Sequence, residues 1–308
     1  MTEVLAIIGN GKLMTEVLAI NGLCKSYGKI KAIYDLSFTV EKGNVYGILG
    51  PNGSGKTTTL SIITGILTAQ KGLFRWFGQE LHKSINQRIG SLVEIPNFYP
   101  YLSLYQNLQI ISRIKNIPDE DINRVLGITH LLARKHSRFE TLSLGMKQRL
   151  GFAAVLLGDP EVLVLDEPAN GLDPEGIAEV RNIILSETQK GKTIIMASHI
   201  LDEVEKVCTH VGILKLGELI AGGRVNELLT ENDLVVVSAG NLNELYELLV
   251  RSGLTKSIQQ NENDITIVLT DRVSPRDINE YAFKHGIVLK KLEVKKKSLE
   301  SQFLELVR

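Results

Sequence analysis

Apolar positions change their period several times along the chain, and the changes mark out its elements. VLAINGLCKSY, from Val17, and AIYDLSFTV, from Ala32, place apolar residues in near-alternation between glycines, which predicts half-buried strands in antiparallel hairpins. VYGILG from Val45, VLVLDEP from Val162 and TIIMAS from Thr193 are unbroken apolar runs, as in strands buried on both faces of a parallel sheet. TTTLSIITGIL repeats at helical spacing, and further helices are expected from Gly145 and from Pro174 to Lys190. VGILKLGELIAGG reads as one more strand, and the stretch from about residue 68 to Arg138 reads as mixed helix and loop. Strands alternating with helices predict an α/β fold with a largely parallel sheet covered on both faces.

Past Gly223 the pattern changes. LVVVSA (234–239), a helix over 242–252, the pair SIQQ and DITIVLT, a helix over 275–286 and the strand IVLKKLEV follow the order β-α-β-β-α-β of a ferredoxin-like unit. An amphipathic helix, SLESQFLELV, is expected to close it. The expected division is therefore an α/β domain over 14–223 and a small α+β domain over 224–308. MTEVLAI stands at 1–7 and again at 14–20, and only the second copy runs on into a domain, so residues 1–13 read as a duplicated start or an appended segment.

Composition narrows the function. The 308 residues carry 35 Lys+Arg against 35 Asp+Glu, so no global field favours nucleic acid or an anionic membrane. Two cysteines, Cys24 and Cys208, make no disulfide framework, and the reduced thiols of the cytosol are expected. The longest charge-free window, Ile95 to Ser112, contains Pro96 and Pro100 and several amides, which argues against a membrane span.

Gly50-Pro51-Asn52-Gly53-Ser54-Gly55-Lys56-Thr57 carries the chemistry. Between a strand and a helix, such a loop curls so that successive N–H groups face a phosphate, with the helix N-terminus behind them. Lys56 supplies a point charge for the β- and γ-phosphates, and Thr57 a hydroxyl for Mg²⁺. Asp166 and Glu167 end an apolar strand, which delivers both carboxylates to the sheet edge where ligands of open α/β sheets bind. Asp166 is expected to hold Mg²⁺ through water, and Glu167 to act as general base on the attacking water.

LDEPANGLDP, preceded by Leu142-Ser-Leu-Gly-Met146-Lys-Gln-Arg and followed by Ala197-Ser-His199, resembles the nucleotide-binding domain of an ABC transporter. The phosphate loop, signature, carboxylate strand, Asn170–Asp173 loop and switch histidine stand in the family's order across residues 15–223. The resemblance implies the P-loop fold of the ABC ATPases, with a helical subdomain over about 95–158 and a small antiparallel sheet. It implies that Tyr27 stacks on adenine and that the phosphate loop through Thr58 binds ATP. Ser143 and Gly145 would then reach the γ-phosphate held by a second subunit, Asp173 would line that interface, and His199 would hold the γ-phosphate and orient the water. ATP and Mg²⁺ are the implied cofactors. The implied partners are an integral-membrane permease and a second ATP-binding subunit, most simply an identical chain, at the cytoplasmic face of the membrane.

Three positions depart from the family's usual residues. Glu94 replaces a glutamine that touches Mg²⁺ and the permease, and is expected to make ATP binding more steeply Mg²⁺-dependent. Leu144 stands for a glycine and Met146 for a glutamine. SLVE-P-FYP together with SLGMKQRL is similar to the bacitracin-export and lantibiotic-immunity branch, which implies an exporter ATPase for a peptide antibiotic or other small amphiphile. A soluble ABC ATPase acting on ribosomes or DNA is the alternative. Against it stand a single set of motifs, no heptad run over 58–141 and a chain that is not basic. A small-molecule P-loop kinase would lack the signature and the switch histidine.

Overall fold

The structure, a computed structural model, describes residues 16–93, 97–229, 234–270 and 273–295, with Leu299 and Phe303. The chain divides into two compact units between Arg224 and Val225. The duplicated start, Glu94 and most of the expected closing helix lie outside the described residues.

The first unit runs β1 (Glu16–Tyr27), β2 (Ile30–Glu41), β3 (Val45–Leu49), α1 (Lys56–Ile63), β4 (Lys71–Trp76), α2 (Lys83–Gln87), β5 (Ile89–Leu92), α3 (Leu104–Lys115), α4 (Glu120–Ile128), α5 (Leu144–Leu156), β6 (Val162–Asp166), α6 (Pro174–Gln189), β7 (Thr193–Ser198), α7 (Leu201–Val207), β8 (His210–Lys215) and β9 (Glu218–Arg224). The unbroken apolar runs become the middle of a six-stranded sheet ordered β5-β6-β7-β3-β8-β9, parallel except for β9. All five residues of β3 and all six of β7 are buried, as strands covered on both faces require. Register aligns Leu49 with Ser198, and Asp166 with Ala197, so the C-terminal ends of β3, β6 and β7 form one edge.

β1 pairs antiparallel with β2 on one side and β4 on the other, making a second sheet. β4 is a strand inside the stretch that reads as mixed helix and loop, because KGLFRW is exposed over most of its length and shows little apolar contrast. Helix α1 touches β2, β6 and β7, and one apolar cluster joins Leu18 and Leu36 of the small sheet, Leu60 and Ile63 of α1, and Val164 and Ile195 of the large one. Trp76, fully buried at the end of β4, donates its indole N–H to the Ile63 carbonyl at 2.7 Å and closes the C-terminus of α1. Helices α3, α4 and α5 contact one another, with Leu108, Ile122, Val125, Leu126 and Leu150 buried. Ser103 and Gln106 form a reciprocal capping box at the start of α3.

The expected single strand VGILKLGELIAGG is a hairpin. Leu216 and Gly217 both take positive φ, 51° and 85°, the two-residue turn whose twist suits β8 and β9.

The second unit contains α8 (Val225–Leu229), β10 (Leu234–Ala239), α9 (Leu242–Ser252), β11 (Thr255–Gln260), β12 (Ile265–Leu269), α10 (Pro275–Lys284) and β13 (Leu289–Lys295). Its four strands form an antiparallel sheet in the order β11-β12-β10-β13, the arrangement that β-α-β-β-α-β chains take when both helices cover one face. Val235, Val237, Ile265 and Ile267 pack there with Leu245 and Leu249 of α9 and Ile278 and Ala282 of α10.

Candidate nucleotide-binding site

The loop between β3 and α1 is shaped by its glycines. A Cβ on Gly50 would lie 2.3 Å from Ser54 Oγ and 2.5 Å from the Leu214 carbonyl oxygen. Gly55 has φ 104°, and a Cβ there would lie 2.4 Å from the Ala32 carbonyl oxygen. Gly53 is also at positive φ, while Pro51 and Asn52 are exposed. Gly55 is the N-cap of α1 and offers no side chain to the first turn, whose N–H groups stay available to an anion. Ser54 is buried, and its hydroxyl is an orphaned buried polar atom inside this cradle.

Lys56 is 6% exposed and folds back on the loop. Its Nζ donates to the Gly50 carbonyl at 2.8 Å and the Pro51 carbonyl at 3.3 Å, and lies 3.8 Å from Glu167 Oε1. The ammonium thus sits where the loop's own acceptors hold it. Thr57 is exposed and Thr58 half-buried at the same helix end.

Asp166 closes β6 and is half-buried. Glu167 follows at φ 45°, a left-handed backbone that a non-glycine residue holds only when its surroundings impose it. Its N–H donates to the Ala197 carbonyl at 3.0 Å, and its own carbonyl accepts from Asn170 N–H at 3.1 Å. His199, directly after β7, donates its backbone N–H to Glu167 Oε2 at 3.2 Å and places Nδ1 2.7 Å from the same oxygen. Lys56, Glu167 and His199 therefore meet at the edge formed by β3, β6 and β7. Tyr27 ends β1 with its ring about half exposed and Lys25 Nζ 5.7 Å from the ring centre.

The signature residues stand elsewhere. Ser143 is the N-cap of α5, its hydroxyl accepting from Met146 N–H at 3.3 Å. Asp173 is the N-cap of α6, accepting from Gly176 N–H at 2.9 Å with Pro174 at the first helical position. Ser143, Gly145 and Asp173 line a cavity of about 400 Å³ to which no phosphate-loop residue contributes. Within one chain the signature residues and the phosphate loop therefore do not share a cavity.

Oxygen donors at the candidate site are the Thr57 hydroxyl and the Asp166 carboxylate at the end of β6, a hard set that suits Mg²⁺. Among the described residues no three His, Cys, Asp or Glu cluster as a metal cage. The donors fit an ion that draws its remaining ligands from phosphates and water.

Four contacts escaped sequence reasoning. Gly217 N–H donates to the Ser54 carbonyl at 3.1 Å while its own carbonyl accepts from Tyr34 N–H at 2.9 Å, so the β8–β9 turn buttresses the phosphate loop. The Leu-Gly pair between two apolar runs was the available signal. Arg149 Nε lies 3.1 Å from Glu179 Oε2, and Gln148 donates to the Pro168 carbonyl at 2.8 Å, joining α5 to the segment after β6. No local pattern announces either.

A family model described as ABC transporter matches residues 33–170. The bacitracin transport ATP-binding protein BcrA of Bacillus licheniformis is 35% identical over 304 residues, covering 96% of this chain and 98% of that protein. The lantibiotic transport ATP-binding protein SrtF of Streptococcus pyogenes is 40% identical over 207 residues, 66% of this chain and 89% of that protein. Among solved structures, the ADP conformation of MJ1267, an ATP-binding cassette of an ABC transporter, is similar with TM-score 0.62 and 27% identity, over 70% of this chain and 95% of that one.

Proposed function

The chain belongs to the ATP-binding proteins of ABC transporters, which are ATPases, and from that premise we propose that it drives export of a peptide antibiotic or similar amphiphile through a separate membrane permease. Relatives that serve bacitracin and lantibiotic transport support the substrate class. Among the described residues no helix is long and apolar enough to cross a membrane, in keeping with a passage supplied by another chain at the inner membrane face.

The observation that carries the chemistry is the convergence of Lys56, Glu167 and His199 on one sheet edge. When ATP enters, Lys56 exchanges the Gly50 and Pro51 carbonyls for phosphate oxygens, and the N-terminus of α1 faces the same anion. Glu167 accepts the proton of the attacking water, and His199, hydrogen-bonded to that carboxylate, orients the water and the γ-phosphate. Thr57 and Asp166 would hold Mg²⁺, with Glu94 a further donor expected from the sequence, and the ion would supply charge neutralisation at the phosphates. Tyr27 stacks on the base.

Two identical chains supply two complete sites, with Ser143 and Gly145 of each chain closing on the nucleotide of the other and Asp173 between them. The separation of the signature cavity from the phosphate loop within one chain supports this reading. Glu167→Gln is expected to slow ATP turnover at least ~100-fold, the scale of a positioned general base, while ATP stays bound in a stable dimer. Turnover and sedimentation are measured together. Unimpaired turnover in the variant, or a monomer as active as a concentrated sample, would overturn the scheme.

A further inference from the structure

Glu167 carries the chemistry from an unfavourable backbone. Its φ of 45° is left-handed, and the following residue is Pro168, whose ring further restricts the residue before it. Such a conformation persists only where the surroundings over-determine it. Three hydrogen bonds hold this turn. Glu167 N–H donates to Ala197 of β7, Asn170 N–H closes the turn on the Glu167 carbonyl, and Gln148 Nε2 donates to the Pro168 carbonyl at 2.8 Å. The first two belong to the sheet and the turn itself. The third comes from α5, the helix that begins at Ser143 and Gly145.

We propose that Gln148 is a positioning residue for hydrolysis. It ties the helix presented to a second subunit's nucleotide to the turn that aims Glu167, so the seating of α5 in one site sets the carboxylate of the other. The proposal rests on the general-base role of Glu167 and the trans role of Ser143 and Gly145. Attachment of α5 to its neighbours does not depend on Gln148. Leu144 Cδ2 lies 3.4 Å from where a Gly171 Cβ would stand, and Arg149 pairs with Glu179. Removing the amide donor therefore frees the turn while leaving the helix in place.

The test is a double-mutant cycle in the full chain, reading kcat, KM for ATP and single-turnover hydrolysis. Gln148→Met keeps the length and loses the donor. It is expected to lower kcat on the order of 10-fold or more, the cost of a misplaced catalytic group, with KM for ATP changed less than about 2-fold. In a Glu167→Gln background it is expected to cost no further rate, because the group it aims is already gone. An equal loss in both backgrounds, or a rise in KM matching the fall in kcat, overturns the link and leaves Gln148 a packing residue. Gln148→Leu runs the same cycle if the methionine variant does not fold. Normal turnover in Glu167→Gln alone would instead remove the reading on which the link stands.

Discussion

Gly55 shows how far one residue can decide the site. Its φ of 104° is closed to side chains at ordinary cost, and a Cβ there would lie 2.4 Å from a backbone oxygen of Ala32 that has no flexible end to give way. Gly55→Ala is expected to cost at least ~1–3 kcal/mol of stability and to abolish ATP binding, because the loop must open to relieve the clash. Urea denaturation and ATP titration check it, and unchanged affinity would show that the loop reshapes freely. Gly53, whose added Cβ would meet nothing within 4 Å, makes the control: it carries the backbone strain alone, so Gly53→Ala is expected to be milder.

Among elements, a set of charged groups links α4 to the segment between α5 and β6 and on to α6, with Arg124 3.8 Å from Asp159. Asp121 and Arg124 of α4 pair with each other, and Asp121 also accepts from Gly158 N–H at 2.8 Å. Lys192, before β7, contacts Asp159 at 2.6 Å and the fully buried Glu187 of α6 at 3.1 Å. Lys192→Met leaves Glu187 with only Lys190, and removing one partner of a buried pair costs about 3–5 kcal/mol, so the urea midpoint is expected to fall without a change in slope. A loss under ~1 kcal/mol would mean that Lys190 suffices.

The same charged groups set an acid limit. Burial would raise the Asp121 carboxyl, but hydrogen bonds from Arg124 and Gly158 outweigh it and hold the pKa below its ordinary value. The Lys192 hydrogen bond likewise lowers that of Asp159. Groups depressed in the folded state add stability that is complete above the unfolded pKa, about 4, and is lost as pH falls through the lower folded value. The melting temperature is expected to drop below about pH 4, and Asp121→Asn to flatten that drop. An identical acid limb in the variant would assign it to other carboxylates.

At the scale of the whole molecule, chemistry and the second unit separate. Every phosphate-loop, carboxylate and signature residue precedes Arg224, while the second unit has an apolar core of its own. A chain ending at Arg224 is expected to bind ATP with affinity within about 3-fold of the full chain, a difference under 1 kcal/mol. Folded but unable to bind ATP, it would show that residues after 224 complete the site. The expected order β-α-β-β-α-β after Gly223 was legible because each element there alternates or repeats cleanly and is bounded by turn residues.

The sequence by itself determined the family and the sheet's buried strands, and it named the candidate groups for phosphate. Those signals are local: a glycine loop between a strand and a helix, or an apolar run ending in Asp166 and Glu167, keeps its meaning without neighbours. Tertiary structure alone decided that β4 joins the small sheet, that VGILKLGELIAGG turns at Leu216 and Gly217, and that Lys56 and His199 flank one carboxylate. It alone put Glu167 at positive φ and set Gln148 against Pro168. Each of these depends on pairing between residues far apart in the chain, where partner and register follow from burying all the apolar faces at once. A period along the sequence carries the face that must be buried, not what will bury it.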